Sequence, residues 1–233
     1  MCDRVEPWAA GTLVQATAVP SFWDFNLVRV ETSDTPLGAR ALAAVADDWL
    51  VALDHRRIEV EDEALGTRLR PEFQEIGYAA ERLLWMMRED DPPEPVAAVR
   101  IEEVSLDDTR PLHEDWLIEE GVGLDTKFLD AEQKLAAERG LRVLAVIEDR
   151  GPVAYLRIVQ DGETAEIDDV FCRPAWRGSG LGTALLRAAL REAAAAGARR
   201  TFIGADDGGR PKRLYARLGF RPAWVQHTFT RRP

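Results

Sequence analysis

Cysteine is scarce in this chain, which has only Cys2 and Cys172 among its 233 residues. Two cysteines cannot supply the disulfide framework of a small secreted domain, so a reducing cytoplasm is the expected location. No window approaches the roughly 18 uninterrupted apolar residues of a membrane-spanning helix. The first residues lack the basic and then apolar segments of a signal peptide. We therefore expect neither a membrane span nor export.

Basic charge is also short, with 30 Lys and Arg against 41 Asp and Glu and a net charge of −11. This balance argues against a broad nucleic-acid surface and suits a cationic, amine-bearing partner. The three histidines and two cysteines show no metal-ligand spacing, so no metal site is expected. The remaining composition is that of a globular protein of one or two domains.

Alternating glycines are the most informative pattern that is present. Residues 172–182 read CRPAWRGSGLG and lie between an apolar stretch and an Ala- and Leu-rich helical stretch. Glycines at a strand-to-helix turn let backbone N–H groups approach a ligand, and the positive end of the following helix faces the same place. The motif of a dinucleotide-binding loop and the motif of a nucleotide-triphosphate-binding loop are both absent. The pattern therefore predicts a pyrophosphate-binding turn, with a simple tight loop as the structural alternative.

A second motif, LYARLGF at residues 214–220, follows this glycine loop (residues 177–183). Arg177, Gly180 and Gly182 in the spacing Arg-x-x-Gly-x-Gly resemble the coenzyme A loop of the GCN5-related N-acetyltransferases (GNAT). In that family the Leu-Tyr-x-x-Leu-Gly-Phe segment carries the tyrosine beside the coenzyme sulfur. The resemblance covers about residues 98–233. It implies acetyl-CoA as the donor, direct transfer to an amine, and an α/β (α+β) fold whose mixed, mostly antiparallel sheet is flanked by helices.

Hydrophobic periodicity and turn residues divide this part of the chain into elements in the family's order. The predicted strands are Val99–Val104, Leu141–Ile147, Val153–Val159, Ala165–Cys172, Arg200–Ile203 and Trp224–Phe229. The predicted helices are Leu106–Glu120, Asp125–Arg139, Gly180–Ala196 and Pro211–Leu218. The helix after Cys172 crosses over to the next strand, so one parallel pairing is expected in an otherwise antiparallel meander.

The resemblance also implies a set of site residues. Those implied to bind the coenzyme are Val170, Phe171, Cys172, Arg177, Gly178, Ser179, Gly180, Leu181, Gly182 and Thr183. Tyr215 is the implied acid that protonates the departing sulfur, and Glu166 is the implied base. Cys172 is interpreted as a small strand residue rather than a nucleophile. Many family members contact the coenzyme through an asparagine, and Gly208 stands at that position here. This contact is therefore left open, and Asp207 is a candidate substitute.

The identity of the base stays open at this point. Strand alternation places Glu166 and Asp168 on one face and Asp169 on the other, and a carboxylate acting through water would serve equally. His113 and His227 are further candidates, although lone histidines are more often structural. Four tryptophans are candidates for lining an acceptor pocket, with core packing as the default: Trp23, Trp116, Trp176 and Trp224.

Residues 1–90 repeat the order of elements in a shorter form. Phe73 lies 142 residues before Tyr215, in a similar aromatic-x-x-x-Gly-aromatic pattern, and Leu37-Gly38 pairs with Leu181-Gly182 at an offset of 144. We interpret 1–90 as a degenerate partial copy, 91–97 as a linker rich in proline and acidic residues, and 98–233 as the catalytic domain. Asp34 and the loss of the glycine turn predict that the copy does not bind pyrophosphate.

The sequence therefore predicts an acetyl-CoA-dependent N-acetyltransferase with one active domain. Its acceptor is an amine of a small molecule or a peptide, and neither the acceptor nor the acyl length is fixed by the residues. The alternative from another class is a non-catalytic acyl-CoA-binding or regulatory module. Whether the chain forms a homodimer is left open.

Overall fold

A computed structural model describes residues 2–33, 36–95, 99–119 and 126–232, of which 126 and 127 are described by their backbone alone. Asp34 therefore lies outside the described residues, as does part of the predicted linker. The strands are β1 Arg4–Trp8, β2 Gly11–Gln15, β3 Leu27–Val30, β4 Arg56–Val60, β5 Ala79–Arg88, β6 Ile101–Val104, β7 Arg142–Glu148, β8 Gly151–Asp161, β9 Thr164–Cys172, β10 Arg200–Asp206 and β11 Arg221–Arg231. The helices are α1 Ala39–Trp49, α2 Glu63–Glu75, α3 Leu106–Glu119, α4 Thr126–Glu138, α5 Leu181–Ala195 and α6 Pro211–Arg217.

Contacts divide the chain into two compact units. Unit 1 holds the described residues of Met1–Trp85, Ala205–Gly209 and Pro222–Pro233, and unit 2 holds those of Met86–Gly204 and Arg210–Arg221. No helix in the described ranges is both long and apolar enough to cross a membrane.

Unit 2 contains the predicted meander and crossover. Its strands follow the order β10-β9-β8-β7-β6, with β6, β7, β8 and β9 paired antiparallel. Helix α5 leads from β9 to β10, and those two strands pair in parallel over Thr164–Ile167 and Arg200–Ile203. The predicted parallel pairing is therefore confirmed, and the sheet is mixed and mostly antiparallel. One apolar cluster of this unit packs α3 against the sheet through Leu112, Tyr155 and Phe171.

Unit 1 repeats part of the same order. Strands β2 and β3 pair antiparallel, α1 follows β3, and β3 and β4 pair in parallel. Its core packs α1 and α2 on the sheet around the fully buried Phe73, whose ring stacks on Phe229 at 4.1 Å. The expected partial copy of the fold is thus present in the N-terminal half.

The ends of α2 and α6 match closely. Tyr78 N–H donates to Phe73 O at 3.0 Å and Phe220 N–H donates to Tyr215 O at 3.1 Å. Both turns pass through a glycine with left-handed backbone, Gly77 at φ 85° and Gly219 at φ 90°. This is the hydrogen bond that closes a helix when the residue after its last turn is left-handed. The spacing that suggested the repeat therefore comes from a shared helix end.

The N-termini of α1 and α5 correct one detail of the predicted alignment between the two copies. Gly38 is the N-cap of α1 and Gly180 is the N-cap of α5. Their offset is 142 (180 − 38), the same as that of Phe73 and Tyr215, so the predicted pairing of Gly38 with Gly182 is wrong by two residues. The caps also differ in conformation, because φ is −87° at Gly38 and 90° at Gly180. Gly38 therefore does not adopt the left-handed conformation of Gly180.

The last strand was expected to complete the C-terminal domain, and its pairing differs from that expectation. β11 pairs antiparallel with β4, with His227 opposite Val60 and Arg231 opposite Arg56. Most of β11 accordingly belongs to unit 1. The predicted division at 1–90, 91–97 and 98–233 remains a proposal about how the chain was assembled from two copies. Local sequence patterns predict that a strand forms, but they do not predict which strand it pairs with.

Candidate functional site

The glycine loop has the backbone geometry that a phosphate ligand needs. Gly178 and Gly180 have φ values of 80° and 90°, and a Cβ added at either would meet nothing within 4 Å. The glycines are therefore required by backbone conformation and not by crowding. Helix α5 begins directly after Gly180, and Ala184 N–H makes the first intrahelical bond, to Gly180 O at 3.0 Å.

The first turn of α5 offers donors to a ligand. The leading N–H groups of a helix have no intrahelical acceptor, and they carry the positive end of the helix dipole. In this chain they belong to Leu181, Gly182 and Thr183, all among the predicted coenzyme-binding residues. Ser179 directs its hydroxyl at Trp176 O, 2.5 Å away, so its side chain shapes the turn. The loop can bind an anion through backbone groups.

Arg177 has a different arrangement from the one predicted. Its Nε donates to Cys172 O at 2.8 Å, and its two terminal nitrogens lie 2.7 and 2.6 Å from the carboxylate oxygens of Glu119 at the end of α3. The hydrogen bond from Arg177 lowers the pKa of Glu119. Both side chains are about half exposed, and exposed pairs contribute little to stability. A phosphate would therefore compete with Glu119 for this cation.

The strand before the loop separates from its neighbour at the predicted donor-binding residues. The pairing of β9 with β10 ends at Ile167 and Ile203, although both strands continue beyond those residues. On its other side β9 stays paired, with Phe171 opposite Tyr155 and Cys172 opposite Ala154. One edge of Val170–Cys172 is thus open to an extended ligand as an added strand, except that Cys172 O on that edge already accepts a hydrogen bond from Arg177 Nε.

A β-bulge lies at the start of this edge. Arg157 pairs with Asp168 and Tyr155 pairs with Phe171, so Asp169 and Val170 together lie opposite Leu156. Asp169 has φ 50° and is the one non-glycine residue with positive φ in the described part of the chain. Such bulges re-aim the local backbone and occur next to active sites. The regular ladder between β8 and β9 is therefore interrupted at Asp169 and Val170.

Tyr215, the predicted acid, lies on α6 and is 5% exposed. Burial, and then the negative charge of Asp168, raise its pKa above the usual value. A tyrosine hydroxyl is protonated at neutral pH even without this shift, so Tyr215 has a proton to donate.

Glu166, the predicted base, is partly buried and lies 3.2 Å from Arg139. Burial, and then the charge of Asp168, raise its pKa, while Arg139 opposes the shift. A carboxylate with a raised pKa is a stronger base than an exposed one. Glu166 faces the same side of the sheet as Asp168, because their partners Val159 and Arg157 are two residues apart on β8. The predicted shared face is confirmed.

The same face carries a buried ion-pair cluster that the sequence did not predict. Its members are His113, Glu132, Tyr155, Arg157 and Asp169. The Arg157 NH1 nitrogen lies 2.7 Å from Glu132 Oε1 and 2.6 Å from Asp169 Oδ2. His113 Nδ1 bonds the Tyr155 hydroxyl at 2.8 Å, and His113 Nε2 lies 2.7 Å from Glu132 Oε2. The side chains of the charged members and of His113 are at most 14% exposed.

Asp169 was predicted to face away from Glu166 and Asp168, and this prediction is wrong. The bulge adds one residue to β9, so the alternation of side chains is shifted from Asp169 onward. Its carboxylate therefore reaches Arg157 on the face that Asp168 shares. A signal was present in the sequence, since Tyr155 and Arg157 interrupt an apolar strand. Buried polar residues in such a strand need partners, and the partners come from α3 and α4.

Three atoms of this cluster, one each from His113, Glu132 and Asp169, lie within 4.8 Å of one another, a spacing that suits a metal ion. The Arg157 guanidinium, however, already bridges the two carboxylates. It supplies the positive charge that a metal would bring. In the described residues this group is therefore best understood as an ion-pair cluster.

The other candidates are distributed between the units. Burial raises the pKa of the half-buried Cys172 thiol, which is consistent with a small strand residue. His227 belongs to unit 1, where its ring packs against Gly66. Asp207 is also in unit 1, where its N–H donates to Arg82 O at 3.1 Å and its carboxylate pairs with the Arg82 guanidinium.

Three of the four tryptophans stack on another ring within their own unit. Trp23 stacks on His55 and Trp224 stacks on Trp85, both within unit 1. In unit 2, Trp116 stacks on His113. Each of these three contacts is ordinary aromatic packing.

Comparison with known proteins agrees with this geometry. Residues 106–220 match the model of the acetyltransferase (GNAT) family. No curated protein sequence matches the chain. A functionally unknown conserved protein from Staphylococcus epidermidis has a similar structure, with TM-score 0.71 and 14% identity over 99% of this chain and 94% of that one.

Two solved acetyltransferase structures share the fold. A GCN5-related N-acetyltransferase from Sphaerobacter thermophilus has TM-score 0.61 and 17% identity over 83% of this chain and 68% of that one. A tandem GNAT protein from the clavulanic acid biosynthesis pathway has TM-score 0.59 and 16% identity over 87% of this chain and 74% of that one. The tandem arrangement agrees with the repeat found in the fold. Residues 106–220 of this chain form a domain of the acetyltransferase (GNAT) family.

Proposed function

We propose that the chain is an acetyl-CoA-dependent N-acetyltransferase that moves acetyl directly from the thioester to a primary amine. The observation that carries the proposal is the coincidence of two features of unit 2. The first is the N-terminus of α5, framed by the left-handed Gly178 and Gly180. The second is the edge of β9 beyond Ile167, where the pairing with β10 ends.

The residues fit a coenzyme with a pyrophosphate and an extended amide arm. The backbone N–H groups of Leu181, Gly182 and Thr183 would bind the pyrophosphate. The edge of Val170–Cys172 would hydrogen-bond the arm as an added strand. Acetyl-CoA, when bound, supplies an acetyl group activated as a thioester. Arg177 would contribute its charge only after giving up its pairing with Glu119.

The transfer needs one proton removed and one supplied. The amine nitrogen forms a bond to the carbonyl carbon, the carbon–sulfur bond breaks, the amine loses a proton and the leaving sulfur gains one. Tyr215 is the proposed donor to sulfur, because its hydroxyl is protonated at neutral pH. Glu166 is the proposed acceptor of the amine proton, directly or through a water.

The acceptor is proposed to be a cationic amine of a small molecule or a peptide. Glu166 and Asp168 place two carboxylates on one face of β9, and the chain as a whole carries a net charge of −11. Both features attract a protonated amine before the base removes its proton. The free thiols of Cys2 and Cys172 suit a reducing compartment, and we propose the cytoplasm.

A screen of acetyl-CoA against pooled primary amines, read out as released thiol, tests the proposal. Polyamines, aminoglycosides, amino acids, peptide N-termini and lysine peptides cover the acceptor classes, and longer acyl donors are run in parallel. Thiol release that depends on one pool supports the enzyme. Coenzyme A binding without release from any pool favours the non-catalytic acyl-CoA-binding module. Absence of coenzyme A binding contradicts both.

A further inference from the structure

The Arg157 side chain is only 7% exposed, yet it carries a full charge between two carboxylates. One guanidinium nitrogen contacts both Glu132 and Asp169, whose side chains are 14% and 11% exposed. Buried charges are tolerated only when they are closely paired. The three groups therefore hold one another in a fixed arrangement.

Asp169 is held at its backbone as well as at its side chain. Its φ of 50° is uncommon for a residue with a Cβ, and aspartate is one of the few types that tolerate it. Its N–H donates to Asp168 Oδ1 at 2.9 Å, while its own Oδ2 lies 2.6 Å from Arg157. A sparsely populated conformation persists where its surroundings over-determine it.

The second carboxylate oxygen of Glu132 extends the support. Glu132 Oε2 lies 2.7 Å from His113 Nε2, and the other ring nitrogen of His113 bonds the Tyr155 hydroxyl at 2.8 Å. Tyr155 is opposite Phe171 on the neighbouring strand. The contacts therefore begin at α4, pass through α3 and β8, and return to β9 on both sides of the bulge.

We propose that Arg157 is a positioning residue for acetyl transfer. Paired with Glu132, it holds Asp169 in the left-handed conformation and so orients the peptide N–H of Val170, which lies on the strand whose backbone N–H polarises the thioester carbonyl in the acetyltransferase family. This inference rests on the proposed function. The physical reason is that a peptide plane is set by the dihedral angles on either side of it, so fixing Asp169 fixes that N–H. Donors held ready for the developing negative charge of a transition state are a large source of rate acceleration.

Substitutions at Asp169 separate the effect of its side-chain contact with Arg157, the anchor, from the effect of its left-handed backbone conformation. Asp169→Asn keeps an acceptor oxygen and a side-chain type that tolerates positive φ, so kcat should stay within about threefold of wild type. Asp169→Ala removes the anchor and disfavours the conformation, so kcat should fall roughly 100-fold, the scale of losing one oxyanion donor, with little change in the KM for acetyl-CoA. Asp169→Gly permits the conformation without the anchor and should lie between them.

A second set of variants tests the ion pair between Arg157 and Asp169 by changing Arg157. Arg157→Lys should retain part of kcat and Arg157→Gln should lose as much as Asp169→Ala. Arg56→Gln is the matched control, because Arg56 is a similarly buried arginine, 2.8 Å from Asp47, in unit 1. It should lower thermal stability and leave kcat unchanged.

Two spectroscopic measurements on the full chain accompany the kinetics. In the free protein, the backbone chemical shifts of residues 168–170 report the left-handed conformation. They should persist in Asp169→Asn and change in Asp169→Ala and Arg157→Gln. With bound acetyl-CoA carrying ¹³C at the carbonyl, the resonance should move downfield in wild type and return toward its free value in the two impaired variants.

The outcomes separate the two proposals. If wild type transfers acetyl and Asp169→Ala matches it in kcat and carbonyl shift, the positioning role is overturned and the proposed function stands. If wild type neither binds nor consumes acetyl-CoA, the proposed function falls and the positioning role falls with it. If Arg157→Gln has a lower melting temperature but an unchanged kcat, the positioning role is also overturned.

Discussion

Placing an aspartate at either end of α5 gives a sharp test of the glycine loop. Gly180 at the start and Gly197 just after the end have φ values of 90° and 96°, and neither position has an atom within 4 Å of an added Cβ. A side chain at either position meets the same left-handed penalty, about 1–2 kcal/mol for most residues and less for aspartate. The helix dipole then separates the two variants. It favours a negative charge at the N-terminus and disfavours one at the C-terminus by about 0.3–1 kcal/mol. Gly197→Asp should therefore be the less stable variant.

Binding should follow the opposite order. A carboxylate at residue 180 would face the phosphates that the first turn of α5 is proposed to bind. For one pair of charges about 5 Å apart, with an effective dielectric constant of about 20, the repulsion is about 3 kcal/mol. This corresponds to a loss of affinity for coenzyme A of roughly 100-fold. Gly197→Asp lies at the far end of the fifteen-residue helix and should bind coenzyme A as wild type does.

The assay combines calorimetric titration with coenzyme A and thermal unfolding, both applied to wild type, Gly180→Asp and Gly197→Asp. The expected pattern is that the more stable variant has lost binding and the less stable one has kept it, which general destabilisation cannot produce. Unchanged affinity in Gly180→Asp would refute the assignment of the loop. Equal loss in both variants would show that the effect does not arise at the N-terminus of α5.

Three further predictions follow from the described contacts. Tyr215→Phe keeps the buried ring and should leave the melting temperature and coenzyme A affinity nearly unchanged while lowering kcat by about 10²–10⁴; normal turnover on the true acceptor would remove Tyr215 as the acid. The chain should bind one coenzyme A, because the Ala39 N–H in the first turn of α1 already donates to Glu72 Oε2 at 2.9 Å and Gly38 is not left-handed; a calorimetric stoichiometry of two would contradict this. Burial alone would raise the pKa of Glu132, but its hydrogen bond with His113 and the charge of Arg157 bring it below the ordinary value. Its ionised form therefore stabilises the fold above the unfolded pKa of about 4.3, and that stability is lost as the pH falls through the folded value. Melting temperatures measured between pH 3 and 7 should decline less steeply on acidification in Glu132→Gln than in wild type, and parallel curves would reject this reasoning.

The sequence predicted the elements of unit 2 to within a few residues, because each rests on a local pattern. Helix α5 follows a glycine turn, α6 begins at Pro211 and ends before Gly219, and the meander is marked by short turns. The glycine loop and Tyr215 were found for the same reason, since both lie in contiguous motifs. Which catalytic role each of them has is still a prediction.

Features that depend on distant partners were not predictable in this way. The carboxylate of Asp169 pairs with Arg157, which also pairs with Glu132 from α4, and no spacing within β9 indicates these partners. Arg177 was expected to face phosphate, but Glu119 from α3 engages it. The neighbour of β11 was likewise set by pairing with β4 and not by its own alternation.

The position of β11 has a consequence for how the protein is made. Within unit 1 this strand lies between β4 and β5, so residues near the end of the chain complete a sheet whose other strands are near its beginning. A ribosome delivers β1 to β5 long before β11, and during that interval the edge of β4 has no strand to cover it. Exposed strand edges are sites of aggregation. The first strands of unit 1 to be synthesised thus wait for β11 before their sheet is complete, and removal of β11 would damage unit 1.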